Sequence, residues 1–340
     1  MNVDVMVAIP KDSGWEPIRN MTFLLSKYLD TKPIFLNVNK SLSSTTKILS
    51  MMPRLRKSRR KLVLIAYDPG QLYAISQLGN IFSSYGEIYG WVIDSFWSER
   101  IPRIAQKNFV FDKIFVTDPS DIPDWHHAGV KEVGASAWGT DVWTNIGNRI
   151  YSHKSNDVLR VGRQPIAWED DSLTLKESER FGIKFEGRPK FGETTQETFQ
   201  NLSSALQRSK IVLAFSNKVS PTSYTHPTKE YLTGRWVDAL GWGCVVAGQV
   251  PKTAGARELL WEEATIEVSP FDLRQGVIEL SAYLATNRVA PEFQVIKSLE
   301  KLDWRWRFKD LFDEIGIFSP SLVEDLMEIE NYIKEFNRNK

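Results

Sequence analysis

Short apolar runs alternate along the chain with longer stretches in which apolar residues recur every three or four positions. In the first half, the runs 3–9, 33–38, 61–67, 88–94, 113–118 and 131–135 read as buried strands. Between the first two, residues 17–29 place Met21, Leu24, Leu25 and Tyr28 on one helical face. After a polar segment at 145–156 the pattern restarts. Runs 158–163, 184–189, 210–216, 244–248 and 264–270 read as a second set of strands. Residues 194–209 read as an amphipathic helix, opened by a capping box of Thr194 and Glu197 and carrying Phe199, Leu202 and Leu206 on one face. The segment 227–243 predicts a loop, a helix and a glycine stop, and 272–286 a further helix. Past Ser319-Pro320-Ser321, a last helix to about residue 336 carries the stripe Leu322, Leu326, Ile329, Ile333 and Phe336.

Strands alternating with helices imply parallel sheets covered on both faces. The expectation is therefore an α/β protein of two open sheets, with domains 1–145 and 146–310. The tail 311–340 is expected to be a helix packing back on the first domain. Ligands of such sheets gather beyond the carboxyl ends of the strands, and a cleft between two such domains is a preferred ligand site.

Composition narrows the class. The 340 residues suit two domains of about 150 residues each. A formal net charge of +1 argues against a protein that coats nucleic acid, and no nucleic-acid partner is expected. One cysteine, Cys244, excludes internal disulfides and points to a reducing compartment. The N-terminal residues lack the pattern of a signal peptide, and no run of eighteen apolar residues occurs. A cytoplasmic protein is expected. The one dense basic run, 51–61, is either a peripheral contact with the inner face of an anionic membrane or a solvated face ahead of the next strand. Twelve tryptophans offer faces on which sugars stack, and also pack cores and domain seams, their commoner use.

Several strand ends carry candidate chemistry. Gly14 follows the first strand, where a glycine backbone can approach a phosphate or simply turn. Asp94 closes the strand 88–94, as a base or acceptor-binding carboxylate or as a helix cap. In the second half, Gly162-Arg163 ends the strand 158–163. Near residue 230 the order is Glu230, Tyr231, Leu232, Thr233, Gly234, Arg235, Trp236, Val237, Asp238, continuing to Gly243 and a strand.

That last run resembles the signature of the retaining GT-B glycosyltransferases, in which two glutamates eight positions apart flank a glycine loop, and the arginine-preceded form found in spore-maturation-type glycosyltransferases. WGTD (138–141) resembles the hinge into the second domain, VGRQ (161–164) a strand-end Gly-Arg, and LDWRWRF (302–308) a late Asp-Trp-Arg element. The resemblance implies two Rossmann-like domains facing across a cleft. It also implies transfer of a sugar from a nucleotide-diphosphate sugar to a glycan, lipid-linked or other glycoconjugate acceptor, in the setting of polysaccharide biosynthesis.

By this resemblance Glu230 is a catalytic candidate, and Asp94, from its place at a strand end, is the other. The donor would be held by Gly14, Arg163, Lys229, Tyr231, Leu232, Thr233, Gly234, Arg235 and Asp238. Arg163 would meet the diphosphate, Asp238 the ribose and Glu230 the donor sugar. The chain departs from the pattern in three places. The second acid is Asp238 and not a glutamate; position 168 is Trp where relatives carry a lysine, leaving Lys229 or Arg235 to supply that charge; and residues 92–95 contain no histidine. No Asp-x-Asp occurs, so neither a metal nor another cofactor is expected. The alternative is a non-catalytic GT-B-like binding or assembly protein.

Overall fold

A computed structural model describes residues 3–36, 58–76, 84–103, 105, 110–286 and 290–338. The basic run therefore lies, from 51 to 57, outside the described residues. The chain divides into two compact units: Met1–Ala137 with Asp310–Ser321, and Trp138–Lys309 with Leu322–Lys340.

In the first unit β1 (Val3–Ala8), β2 (Ile34–Phe35), β3 (Lys61–Ala66), β4 (Glu87–Val92), β5 (Lys113–Val116) and β6 (Val133–Ala135) form one sheet in the order β2-β1-β3-β4-β5-β6. All the pairings are parallel, with Val5 beside Val63 and Ile65 beside Trp91. Strands buried on both faces read as near-continuous apolar runs, which is why the hydrophobic pattern located them. Helix α1 (Glu16–Tyr28) carries Pro17 in its first turn and buries Ile18, Met21 and Leu25. Helix α2 (Pro69–Ser76) puts Leu72, Tyr73 and Ile75 into a core with Leu62, Leu64, Ile88, Ile114 and Trp125. Trp125 comes from α3 (Ile122–His127) and donates its indole N–H to Ser95 O at 3.0 Å.

The second sheet has the order β11-β10-β9-β7-β8, again parallel throughout, from β7 (Asn156–Arg160), β8 (Phe185–Glu186), β9 (Ser209–Leu213), β10 (Val245–Gly248) and β11 (Thr265–Glu267). The polar segment 145–156 contains α4 (Ile146–Ile150), whose Arg149 stacks over Trp242 at 4.2 Å while Ile150 enters a core. Helices α5 (Asp171–Arg180), α6 (Thr195–Arg208), α7 (Gly234–Gly241), α8 (Ala254–Leu259) and α9 (Leu273–Thr286) complete this α/β unit. Thr194 caps α6 by accepting from Glu197 N at 3.1 Å.

Beyond it come α10 (Pro291–Lys301), α11 (Trp304–Ile315) and α12 (Pro320–Arg338). The chain divides at Ala137–Trp138 because residues 139–143 are tied to Asp303. Thr140 bridges to Asp303, whose Oδ2 accepts from the amides of Val142 and Trp143, both at 2.9 Å. Arg305 locks this corner, reaching Asp303 and Asp141 through Nη1, Asp325 through Nε and Thr144 through Nη2. The LDWRWRF element is thus a structural clasp of the second unit. On α12, Ile329, Tyr332, Ile333 and Phe336 pack with Val142, Ile150, Val295 and Leu299, all within the second unit. Asp310–Ser321 belongs to the first, where Lys61 donates to Ile315 O and Ser319 to Tyr28 O.

Candidate functional site

Beyond the carboxyl ends of β7 and β9 the chain concentrates positive charge. Gly162 turns the strand end at φ +73°, a conformation that L side chains resist. A Cβ there would also lie 2.8 Å from Arg235 Nη1. This turn puts Arg163 beside Arg235 of α7, whose Nη2 donates to Phe215 O and whose Nη1 lies 3.5 Å from Arg163 O. Arg163 lies over the Tyr224 ring at 5.0 Å, and Arg188 donates to Gly162 O at 3.2 Å. Burial, then the neighbouring Arg163 charge, depresses the Arg235 guanidinium to about 10. Burial opposes ionisation of the Tyr224 hydroxyl, but the hydrogen bond and charge of Arg163, with Thr222 and Arg235, together leave that pKa lowered. No carboxylate pairs with Arg163 or Arg235 among the described residues, and the Nε of each is buried without a partner.

The loop between β9 and α7 is organised from its ends. Asn217 donates to the carbonyls of His226 and Lys229 at 3.0 and 2.7 Å. His226 Nδ1 accepts from the amides of Thr228 and Lys229, so the imidazole shapes the loop. Glu230 is half-buried and held in place: Oε1 accepts from Ser216 Oγ at 2.9 Å and Oε2 from Lys252 N at 3.2 Å, with Lys218 Nζ 3.9 Å away. Tyr231 bears electrostatically on Arg235. Leu232 is buried, so its side chain packs in the core and only its backbone can serve a ligand. Thr233 is the N-cap of α7 but makes no capping bond, and its Oγ1 is buried and unpartnered among the described residues. Gly234 follows, with Trp138 3.3 Å from the place of a Cβ.

Asp238 lies one turn further along α7. Its hydrogen bond from Thr140 and the nearby Arg149 favour the anion, yet burial dominates and pushes the carboxyl up to about 6. The charge bearing on Asp238 is thus Arg149, and Arg163 belongs to a separate group with Arg235. Position 168 has a plain structural role: Trp168 is fully buried, donates to Ser269 O at 2.9 Å and packs on Phe215.

Two candidates lie in the first unit. Gly14 N already donates to Asp12 Oδ1 at 3.0 Å in the short turn Ser13–Trp15, so its N–H is not available to a phosphate. Asp94 follows β4, its amide bonded to Tyr67 O at 2.8 Å. Burial and the Asp68 charge push its carboxyl up to about 7, with Arg100 pulling partly back. Arg100 itself pairs with Asp68 at 2.7 Å and lies 3.7 Å over Trp97. Asp94 is therefore a carboxyl poised near neutrality, suited to exchanging a proton.

Sequence reasoning located Arg163 and Arg235, and missed Arg188, Tyr224, Ser216 and Asn217. Their only signal was the Ser216-Asn217 pair at a strand end. Among the described residues no group of three His, Cys, Asp or Glu side chains could hold a metal ion, and no helix is long and apolar enough to cross a membrane.

Over most of its length the chain matches the fold of known structures. The UDP complex of Anabaena Alr3699/HepE matches with a TM-score of 0.50 at 10% identity, over 93% of this chain and 100% of that one. The apo form of the lipopolysaccharide outer core galactosyltransferase WaaB matches with a TM-score of 0.52 at 10% identity, over 93% and 99%. The fold is GT-B. No protein-family model matches the chain, and no curated protein matches it in sequence. Within the GT-B frame, the arginine group and the Glu230 loop both belong to the second Rossmann-like unit.

Proposed function

We propose that this chain is a glycosyltransferase, moving a hexose-like sugar from a nucleotide-diphosphate sugar to a glycan, lipid-linked or other glycoconjugate acceptor. The observation that carries the reading is the pair Arg163 and Arg235: two adjacent guanidiniums with no carboxylate partner among the described residues and with buried, unpartnered Nε groups. Adjacent cations partly shielded from water are unfavourable without an anion, and a diphosphate supplies two charges and several acceptor oxygens. The GT-B fold and its structural neighbours, one solved with UDP and one a galactosyltransferase, support a nucleotide sugar as that anion.

On this reading Arg163 and Arg235 meet the charge that builds on the leaving diphosphate, in the part that a divalent ion plays elsewhere, and transfer needs no metal. The unused Thr233 Oγ1 and the start of α7 add donors beside them. Glu230, held by Ser216 and Lys252, faces the donor sugar, and Asp238 holds the ribose. Lys229, Tyr231 and Leu232 contribute through the loop that joins these groups. Asp94 serves the acceptor. Retention of configuration and the setting in glycoconjugate assembly follow from the likeness of residues 227–248 to the two-acid signature, while a peripheral place at the inner face of a membrane rests on the basic run 51–61.

The test is a thermal-shift screen against UDP, GDP, ADP, CMP and dTDP in EDTA, repeated on Asp238→Ala. One nucleotide should stabilise the native chain and lose that effect in the variant. Failure of every nucleotide at millimolar concentration would leave the binding-protein alternative.

A further inference from the structure

The second unit also carries a cleft of about 360 Å³ beyond β7, β9 and β11, within the range of small-molecule pockets. Its walls are mostly apolar. Pro221 and Pro270 form part of them, and Ile166 and Phe271 stand 97% and 77% exposed at its rim. Single exposed apolar side chains are ordinary, but here two border a concave surface.

One polar element of the cleft is Gln164, which directly follows Arg163 and is only 6% exposed. Its Nε2 donates to Val161 O and Leu213 O, both at 3.3 Å. Two carbonyls at one end of the amide fix which end is nitrogen. The other end, Oε1, is buried with no donor among the described residues. A buried carbonyl left unpaired is unfavourable, and a ligand that brings an N–H relieves that cost. Ser220 lines the same cleft with a hydroxyl that can donate to a carbonyl.

We infer that this cleft binds the acetamido group of an N-acetylated sugar, on donor or acceptor. An acetamido group joins an N–H for Gln164, a carbonyl for Ser220 and a methyl for the walls at Ile166 and Phe271. A plain hydroxyl leaves the apolar wall unfilled. The inference rests on the glycosyltransferase reading for the sugar, and on the cleft for the substituent.

Ligand-observed saturation-transfer NMR on the full chain tests it, with methyl 2-acetamido-2-deoxyglucoside against methyl glucoside. The acetyl methyl should receive the strongest saturation, and the acetamido sugar should bind about tenfold tighter, as one net hydrogen bond plus a buried methyl implies. Phe271→Ala and Ile166→Ala alter rim side chains and should keep the fold while weakening that binding several-fold. Gln164→Leu should abolish the preference. Equal binding of the two sugars, or acetamido binding unmoved by the rim variants, overturns the inference. The nucleotide screen is run on the same samples. Nucleotide binding without acetamido selectivity removes this site alone, whereas loss of both removes the glycosyltransferase reading with it.

Discussion

Replacing Arg163 by Gln separates a ligand-binding cation from a structural one, because the two roles predict effects of different size on different quantities. In the free chain Arg163 gains a cation–π contact with Tyr224, worth about 0.5–1 kcal/mol at an exposed site, and is opposed by Arg235. These contributions offset, so Arg163→Gln should change unfolding free energy by no more than about 1 kcal/mol, a few degrees in Tm for a domain of this size. Bound diphosphate reverses the balance. A charge-assisted hydrogen bond contributes about 1.5–3 kcal/mol, and a forked guanidinium makes two. Nucleotide affinity should therefore fall by about 100-fold or more, and the residual affinity should depend less steeply on salt. Isothermal titration with the stabilising nucleotide at two salt concentrations, beside urea unfolding of the free chain, reads both quantities. A variant destabilised by more than about 2 kcal/mol with unchanged nucleotide affinity would refute the reasoning and make Arg163 a scaffold residue.

Gly162→Ala places a side chain at φ +73° and against Arg235, so it should cost about 1–2 kcal/mol in the unfolding of the free chain and also weaken nucleotide binding. If affinity is untouched, the turn does not set the arginine pair. Asp94 titrates near 7 when folded and at its ordinary 3.8 when unfolded, so the folded chain holds its proton more tightly. That contribution to stability is complete below about pH 4 and is lost as pH rises through about 7. Asp94→Asn should thus match the native chain near pH 4 and exceed it in urea unfolding at pH 8, while slowing transfer to acceptor. Parallel stability profiles would show that Asp94 is not the titrating group. Arg305→Met leaves Asp303 buried without its partner and should destabilise the second unit by about 3–5 kcal/mol, measured by calorimetry, with Asp303→Asn in the same chain recovering part of the loss.

The strands were legible because a parallel sheet buries both faces, so runs such as 61–67 and 244–248 show without any alternation. The segment 145–156 was harder. Asn145, Asn148 and Arg149 gave it a polar character, yet Arg149 is buried over Trp242, a contact that local pattern cannot show. The helices between residues 290 and 316 were hidden for a similar reason, since Arg305 and Asp303 sit at core positions and satisfy one another, whereas α12 showed through its apolar stripe. In the site, Gly162-Arg163 and Arg235 stood out as a strand-end turn and a helix start. Tyr224 and Asn217 did not, because the loop 217–230 has no period, and its shape comes from side chains that bond its own backbone.

The tryptophan at position 168 explains why the charge sits where it does. A lysine there is what the resemblance to the retaining enzymes implies, but the slot is a core position between Phe215 and Gly276, where a Cβ on Gly276 would come within 2.3 Å of the indole. An ammonium placed in it would lose its water and meet no anion, at a cost of several kcal/mol. The second positive charge must then come from another element, and α7 offers Arg235 one residue after Gly234. A longer, forked side chain at a helix start reaches the Gly162 turn from the opposite side of the strand end, and its Phe215 bond fixes its direction. The same geometry predicts that Arg235→Lys, although it conserves charge, fails to restore nucleotide affinity. A compact ammonium cannot bond Phe215 O and still present a second, forked donor to a diphosphate. Full affinity in Arg235→Lys would mean that only the charge matters, and the forked geometry would then have no part in donor binding.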